Sequence, residues 1–303
     1  MSAIATDPPT LPAPFSPDAV AGLCLHEPKY FKVQLQSTAH RAAIIAHWVI
    51  PAGARVLEIG CGQGDTTAVL AELVGEAGHV TGVDPGALDY GAPFTLGQAQ
   101  AHLSAGPLGP RITWAHADPL AFLAARAPDA PPFDVAVLSL CTWYFASPRV
   151  LSALLAALAP HATRLCVAEW SLSAARPAAH AHVLAALAQA ALEHRNPASE
   201  SNVRTAFAPA SIVRAAAAPE GGAWTVVSEG RFRPAEGTLD GQWEVQAVLG
   251  GGFERGIEEF VKDEGERAVV VALREAVRAA ADVVGGPKKV EAMDVWCAEF
   301  VHA

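Results

Sequence analysis

Three glycines at alternate positions, set directly after an apolar strand, constrain this chain more than any other feature. The stretch Val56-Leu57-Glu58-Ile59-Gly60-Cys61-Gly62-Gln63-Gly64-Asp65 ends a strand-like run at an acid, turns, and continues into Thr66–Leu73 with helical spacing. Alternate glycines permit positive φ and leave no Cβ between the backbone and a ligand. The unpaired N–H groups that open the next helix then face that ligand. Asp84 closes a second strand-like run, His79–Val83, about 20 residues beyond the loop, where a carboxylate reaches two ribose hydroxyls. Strand, turn, helix, strand and acid together predict a site for a nucleoside-bearing cofactor.

Loop detail selects the nucleoside. A dinucleotide site is built on Gly-x-Gly-x-x-Gly, with pyrophosphate on the helix N-terminus. Here the third glycine comes one residue early, and the sixth position is Asp65, whose charge opposes a pyrophosphate. Glu58 also suits a cationic ligand better than a phosphate. NAD is therefore the disfavoured competitor. The loop resembles the first motif of the class I S-adenosylmethionine methyltransferases, whose acid-x-Gly-x-Gly-x-Gly turn packs against the methionine part of the cofactor. The resemblance covers residues 53–172 and, more loosely, the last two strands. It implies S-adenosylmethionine as cofactor and S-adenosylhomocysteine as product. The implied site comprises Glu58, Gly60, Cys61, Gly62, Gln63, Gly64 and Asp65 in the loop, Asp84 and Pro85 after the second strand, Ala117, Asp118 and Pro119 after the third, and Ser139 at the fourth. The family places an acceptor for the adenine amino group at Asp118. Read from the residues alone, Asp118 before Pro119 is a helix cap, and one side chain can serve both ends.

Strands and helices alternate through most of the chain, which predicts an α/β fold: a Rossmann-like, seven-stranded, mostly parallel sheet flanked by helices, with additional helical cap elements. Strands are expected at 55–59, 79–83, 112–116, 134–140, 164–170, 224–232 and 293–301. Residues 1–20, rich in proline, read as a disordered tail, and 21–303 as a single methyltransferase domain. Within it, 26–50 form a helical lid that ends at Pro51 and Gly53, and 53–172 the core. Helical insertions at 173–222 and 238–286 form a cap.

The formal net charge of −10 repels a phosphate backbone, and no basic patch offsets it, so nucleic acid is not expected as a partner. No stretch approaches the roughly 20 apolar residues that span a bilayer. Cys24, Cys61, Cys141, Cys166 and Cys297 are widely spaced and lack C-x-x-C, which reads as reduced thiols in a cytoplasmic protein. A secretory signal is absent from the N-terminus as read. Nothing in the sequence fixes the oligomeric state.

Methyl transfer asks little of side chains, because the sulfonium is a good leaving group and alignment supplies much of the rate. If the acceptor must lose a proton, His40 and Glu169 are the candidate catalytic residues, with His102 and His116 as weaker ones. Tyr30, Trp143, Tyr144 and Trp170 are the candidate acceptor-pocket aromatics, although Trp143 and Tyr144 fit a core equally well. Cys141 invites comparison with the cytosine-C5 enzymes, but Leu140 stands where their nucleophile is preceded by proline. The Asn/Asp-Pro-Pro-aromatic motif of amino-directed nucleic-acid enzymes is missing. Glu169 is the lone acid at the fourth and fifth strand ends, so no metal site is expected. The expected activity is direct, metal-independent in-line transfer to a small molecule. A protein methyltransferase, or a non-catalytic S-adenosylmethionine-binding scaffold, is the alternative.

Overall fold

The computed structural model describes residues 5–302 except 197 and 200. Its sheet contains β1 (Arg55–Ile59), β2 (His79–Asp84), β3 (Ile112–His116), β4 (Phe133–Ser139), β5 (Ala162–Trp170), β6 (Trp224–Phe232) and β7 (Val295–His302). The spatial order is β3-β2-β1-β4-β5-β7-β6, with β1 to β5 parallel and β7 antiparallel to both neighbours. The chain leaves β1 toward β2 on one side and returns to β4 on the other. That reversal opens a crevice at the carboxyl ends of β1 and β4, where ligands of open parallel sheets bind.

Helices cover both faces: α1 (Pro17–Leu23), α2 (Phe31–Ile45), α3 (Asp65–Val74), α4 (Leu96–Ala105), α5 (Pro119–Ala124), α6 (Pro148–Leu158) and α8 (Pro209–Ala217). Strand sequences such as Val135-Ala136-Val137-Leu138 are apolar throughout because both faces are buried. Helix α6 shows how the covering layer is encoded. Ser147 caps it by accepting from the Val150 N–H, Pro148 starts it, and Leu151, Leu154, Leu155 and Leu158 recur on one buried stripe. Each such leucine contributes about 1.5–3 kcal/mol through burial.

The remaining helices, α7 (His180–Glu193), α9 (Asp240–Leu249), α10 (Gly251–Phe260) and α11 (Glu264–Val283), enclose a second apolar core. Ala181, Ala185 and Ala188 of α7 let Val245 and Val248 of α9 and Val270 and Val277 of α11 approach closely. The expected division of the cap is therefore corrected. Residues 173–222 do not act as one element: α7 joins the cap core, while Ile212 and Ala216 of α8 pack into the core of the sheet beside α6 and β6.

A second correction concerns the proline-rich start. Residues 1–4 lie outside the described residues, but from Ala5 onward the segment is tied down. The Thr6 N–H donates to the Arg231 carbonyl at 3.0 Å, the Arg233 N–H to the Thr6 carbonyl at 2.8 Å, and Leu11 and Phe15 pack on the core. Ser16 and Pro17 open α1 as N-cap and first helical residue, a start signal that the surrounding prolines mask. Among the described residues no helix is long and apolar enough to cross a membrane.

Candidate active site

The glycine loop leaves β1 with left-handed backbone at Gly60 (φ 74°), Gly62 (φ 51°) and Gly64 (φ 96°). Two of the three have different jobs. A Cβ on Gly60 would lie 2.6 Å from Cβ of Cys141, so Gly60 lets the loop lie against the turn after β4; a Cβ on Gly62 would meet nothing within 4 Å, so Gly62 faces open space. Asp84 locks the loop to the end of β2: Oδ2 accepts from the Gly62 N–H at 2.8 Å and Oδ1 from the Gly86 N–H at 2.7 Å. Each oxygen retains a second lone pair for a ribose hydroxyl. Gln100 donates to the Gly62 carbonyl at 2.7 Å and Gln63 to the Phe94 carbonyl at 2.6 Å, which fixes the rim.

Glu58 is buried under the loop and accepts from Thr67 Oγ1 of α3 at 2.5 Å. Burial pushes its carboxyl up to about 8, against the Thr67 bond, so the group holds a proton at neutral pH. Asp118 is exposed and caps α5 through the Ala121 N–H at 3.0 Å, with Ala117 beside it, exposed Pro85 on the β2 rim and Pro119 buried as the first helical residue. Ser139 ends β4 with its Oγ buried and, among the described residues, without a partner. A cradle of glycines open at Gly62, a bidentate acid and an orphaned buried hydroxyl fits an S-adenosyl ligand.

At the ends of β4 and β5, Leu140 and Leu172 adopt left-handed backbone, φ 53° and 52°. Such strain persists only where the surroundings hold it: the Leu140 N–H donates to the Ala168 carbonyl at 2.9 Å, and Glu169 pins the turn that follows. Its Oε2 accepts from the Thr142 N–H (2.9 Å), Thr142 Oγ1 (2.8 Å) and the Trp143 N–H (3.3 Å), and its Oε1 from the Trp170 N–H (2.9 Å). Glu169 thus shapes the turn beside the glycine loop, and burial raises its carboxyl to about 7 against these bonds. The expected place of Trp143 in the acceptor pocket is corrected. It is buried, donates from Nε1 to the Phe207 carbonyl at 3.1 Å, and belongs to the core. Cys141 is likewise a core residue, and burial together with Glu169 raises its thiol well above the ordinary range.

Helix α2 closes the crevice from above. Gln34 donates to Asp65 Oδ1 at 2.7 Å and Ser37 to Oδ2 at 3.4 Å, so the lid helix grips the acid that follows the third glycine. Between α2, the loop and the start of α9 lies a cavity of about 350 Å3 whose lining includes Tyr30, His40, Arg41, Asp65, Asp240 and Trp243. His40 is 6% exposed and stacks on Trp170, ring centroids 5.5 Å apart at 16°. Burial and Arg41 hold its imidazole down at about 3, so it is neutral at pH 7 and keeps a proton poorly. His40 therefore stands in the wall of the cavity as a neutral ring packed on Trp170. Trp170 is buried between His40 and His182. Tyr144 is half exposed and does not line this cavity, while His102 and His116 lie on the outer surface.

Asp240, Arg41 and Trp243 were not singled out in the sequence. Asp240 opens a helix far along the chain, and no local signal ties it to the loop. Among the described residues no three His, Cys, Asp or Glu side chains group as a metal site.

A family profile described as a methyltransferase domain matches residues 56–161. The chain is 33% identical over 290 residues to methyltransferase phomM' of Diaporthe leptostromiformis, covering 82% of this chain and 74% of that one. It is 32% identical over 288 residues to methyltransferase phomM of the same organism, with the same coverage, 82% and 74%. Among solved structures, a cyclopropane-fatty-acyl-phospholipid synthase-like protein from Lactobacillus casei superposes with a TM-score of 0.79 at 32% identity, over 94% of this chain and 98% of that one.

Proposed function

Because this chain belongs to the class I S-adenosylmethionine-dependent methyltransferases, we propose that it methylates a small-molecule acceptor held between α2, the glycine loop and α9. The observation that carries this reading is the cavity of about 350 Å3, walled by lid, loop and cap together. Small-molecule sites of about 300–1,000 Å3 bury most of their ligand, whereas a protein segment needs an open groove. The formal charge of −10 adds a general repulsion toward polyanions.

The cofactor supplies an electrophilic methyl on a sulfonium. Asp84 is assigned to the ribose, Ala117 and Asp118 to the adenine, and Ser139 Oγ to the methionine part at the end of β4. Glu58 and Glu169 hold the two turns in register, which sets the angle at which the acceptor meets the methyl carbon. We assign a direct, metal-independent transfer. The protonated, buried thiol of Cys141 supports the absence of a covalent intermediate.

Incubation with methyl-tritiated S-adenosylmethionine and fractionated cell extract tests this reading. Label is expected in the small-molecule fraction. Label in protein would favour the protein-methyltransferase reading, and none, with S-adenosylhomocysteine still bound, a scaffold. With an acceptor in hand, EDTA should leave turnover intact, and Cys141→Ser should cost far less than the loss of roughly 10³-fold or more expected for a nucleophile.

A further inference from the structure

We propose that a second cavity, at the seam between the core of the sheet and the core of the cap, binds an apolar carboxylate whose head is taken by Arg204. This site is separate from the acceptor cavity and stands whatever that cavity holds.

The second cavity has a volume of about 480 Å3 and shares no lining residue with the first. Protein interiors leave few voids larger than a water molecule, whereas small-molecule sites run from about 300 to 1,000 Å3. Its walls come from both cores. Ala190 and Ala206 pack on the core of the sheet, while Ala191, Val261 and Val270 belong to that of the cap. Three alanines are too small to close the gap between the two layers, so the seam stays open where an apolar body fits. Val269, 58% exposed, extends the same apolar wall to the surface.

Of the three Arg and Glu side chains in the lining, Arg195, just past the end of α7, pairs with Glu266 in the first turn of α11, which leaves Arg204. Arg204 is partly buried, and among the described residues its guanidinium finds no acceptor. Every other part-buried arginine donates to a carbonyl, a hydroxyl or a carboxylate, Arg41 of the first cavity excepted. Donors withdrawn from water without an acceptor cost free energy unless a ligand completes them. Arg204 is also held in place. Its backbone N–H and that of Thr205 donate to the Trp143 carbonyl at 2.9 and 3.1 Å, and Val203 and Phe207 are buried on either side. A guanidinium on a fixed segment above an apolar wall takes a carboxylate through two parallel N–H bonds. One free cation matches one negative charge, which favours a carboxylate over a phosphate monoester.

Calorimetric titration of octanoate, 1-octanol and octylammonium at pH 7 tests this with one chain and three heads. Octanoate should bind roughly tenfold tighter than octanol, with octylammonium weakest, and should raise the urea midpoint because it binds only the folded protein. Arg204→Met should remove the advantage of octanoate over octanol and keep octanol binding. Arg204→Lys, which keeps the charge and loses the fork, should fall between Arg204→Met and wild type. Val269→Asp, at an exposed position, should weaken octanoate and octanol together. Arg41→Met should leave octanoate unchanged, because a carboxylate in the first cavity would lose its partner there instead. Octanol equal to octanoate, a preference for octylammonium, or an octanoate affinity that survives both Arg204→Met and Val269→Asp would overturn the proposal. So would a loss in Arg41→Met in place of Arg204→Met, or no saturable octanoate binding up to about 10 mM. Urea midpoints of the unliganded variants separate loss of the site from loss of the fold.

Discussion

The glycine loop and the cap wall face each other across the cavity, yet they are built in opposite ways. Residues from Val56 to Asp84 make their side of the site by local geometry: one turn, one helix start and one acid, joined by bonds such as Gly62 to Asp84. The cap side draws Tyr30 and His40 from the lid and Asp240 and Trp243 from α9, residues some 200 positions apart in sequence. The first side is stiff because its glycines and acids lock one another. The second depends on how a helical layer with its own core, around Val245 and Val277, rests over the sheet. A cofactor common to a superfamily meets a local, repeatable frame, while the acceptor meets a frame assembled by tertiary packing.

The largest effect expected from this contrast is at Gly60. Gly60→Ala combines a left-handed φ of 74° with a Cβ placed 2.6 Å from Cys141, and should cost about 3 kcal/mol or more in urea unfolding. Gly62→Ala, open on its outer side, should cost about 1 kcal/mol of stability while weakening cofactor binding more than folding. Equal destabilisation by the two would mean the loop is not pressed against the β4 turn.

Next comes pH. The folded-state pKa of Glu58 is raised from 4.5 to about 8, so the folded protein retains a proton that the unfolded chain has released. Stability therefore falls as pH rises through that window, by about 2–4 kcal/mol between pH 5 and 8. Glu169, raised to about 7, adds to the fall with the same sign. Glu58→Gln should flatten part of this slope in urea melts at the two pH values, and an unchanged slope would mean that Glu58 is ionised in the fold.

The smallest effect belongs to the cap core. Val277→Ala, fully buried between α11 and its neighbours, should lower stability by about 1–2 kcal/mol and leave the affinity for S-adenosylhomocysteine unchanged. A matching loss of cofactor affinity would show that the two sides are mechanically coupled.

The same contrast explains what could be read from the sequence. β1, the loop and α3 follow from a local pattern, and the expected limits of β1, β3 and β6 agree with the observed ones. Helix α1 hid among prolines, and α10 begins with two glycines, so propensity spoke against it although Phe253 and Ile257 lie one turn apart on its buried face. Glu169 and Trp143 were placed at the correct strand ends, but sequence does not tell which way a side chain turns or how many donors surround it. His40 was found for its residue type and its helix, but its burial against Trp170 depends on how α2 rests on the sheet and left no local signal. Asp240 was missed because its importance arises only when α9 packs over the loop.

The separation of the two sides is tested most directly by titrating S-adenosylhomocysteine into wild-type protein, Asp84→Ala and Asp240→Asn under one set of conditions. Separate sides predict a loss of about 100-fold or more for Asp84→Ala, from the paired contacts of a part-buried carboxylate, and less than twofold for Asp240→Asn. An Asp240→Asn loss as large as that of Asp84→Ala, or an Asp84→Ala affinity equal to wild type, would contradict it.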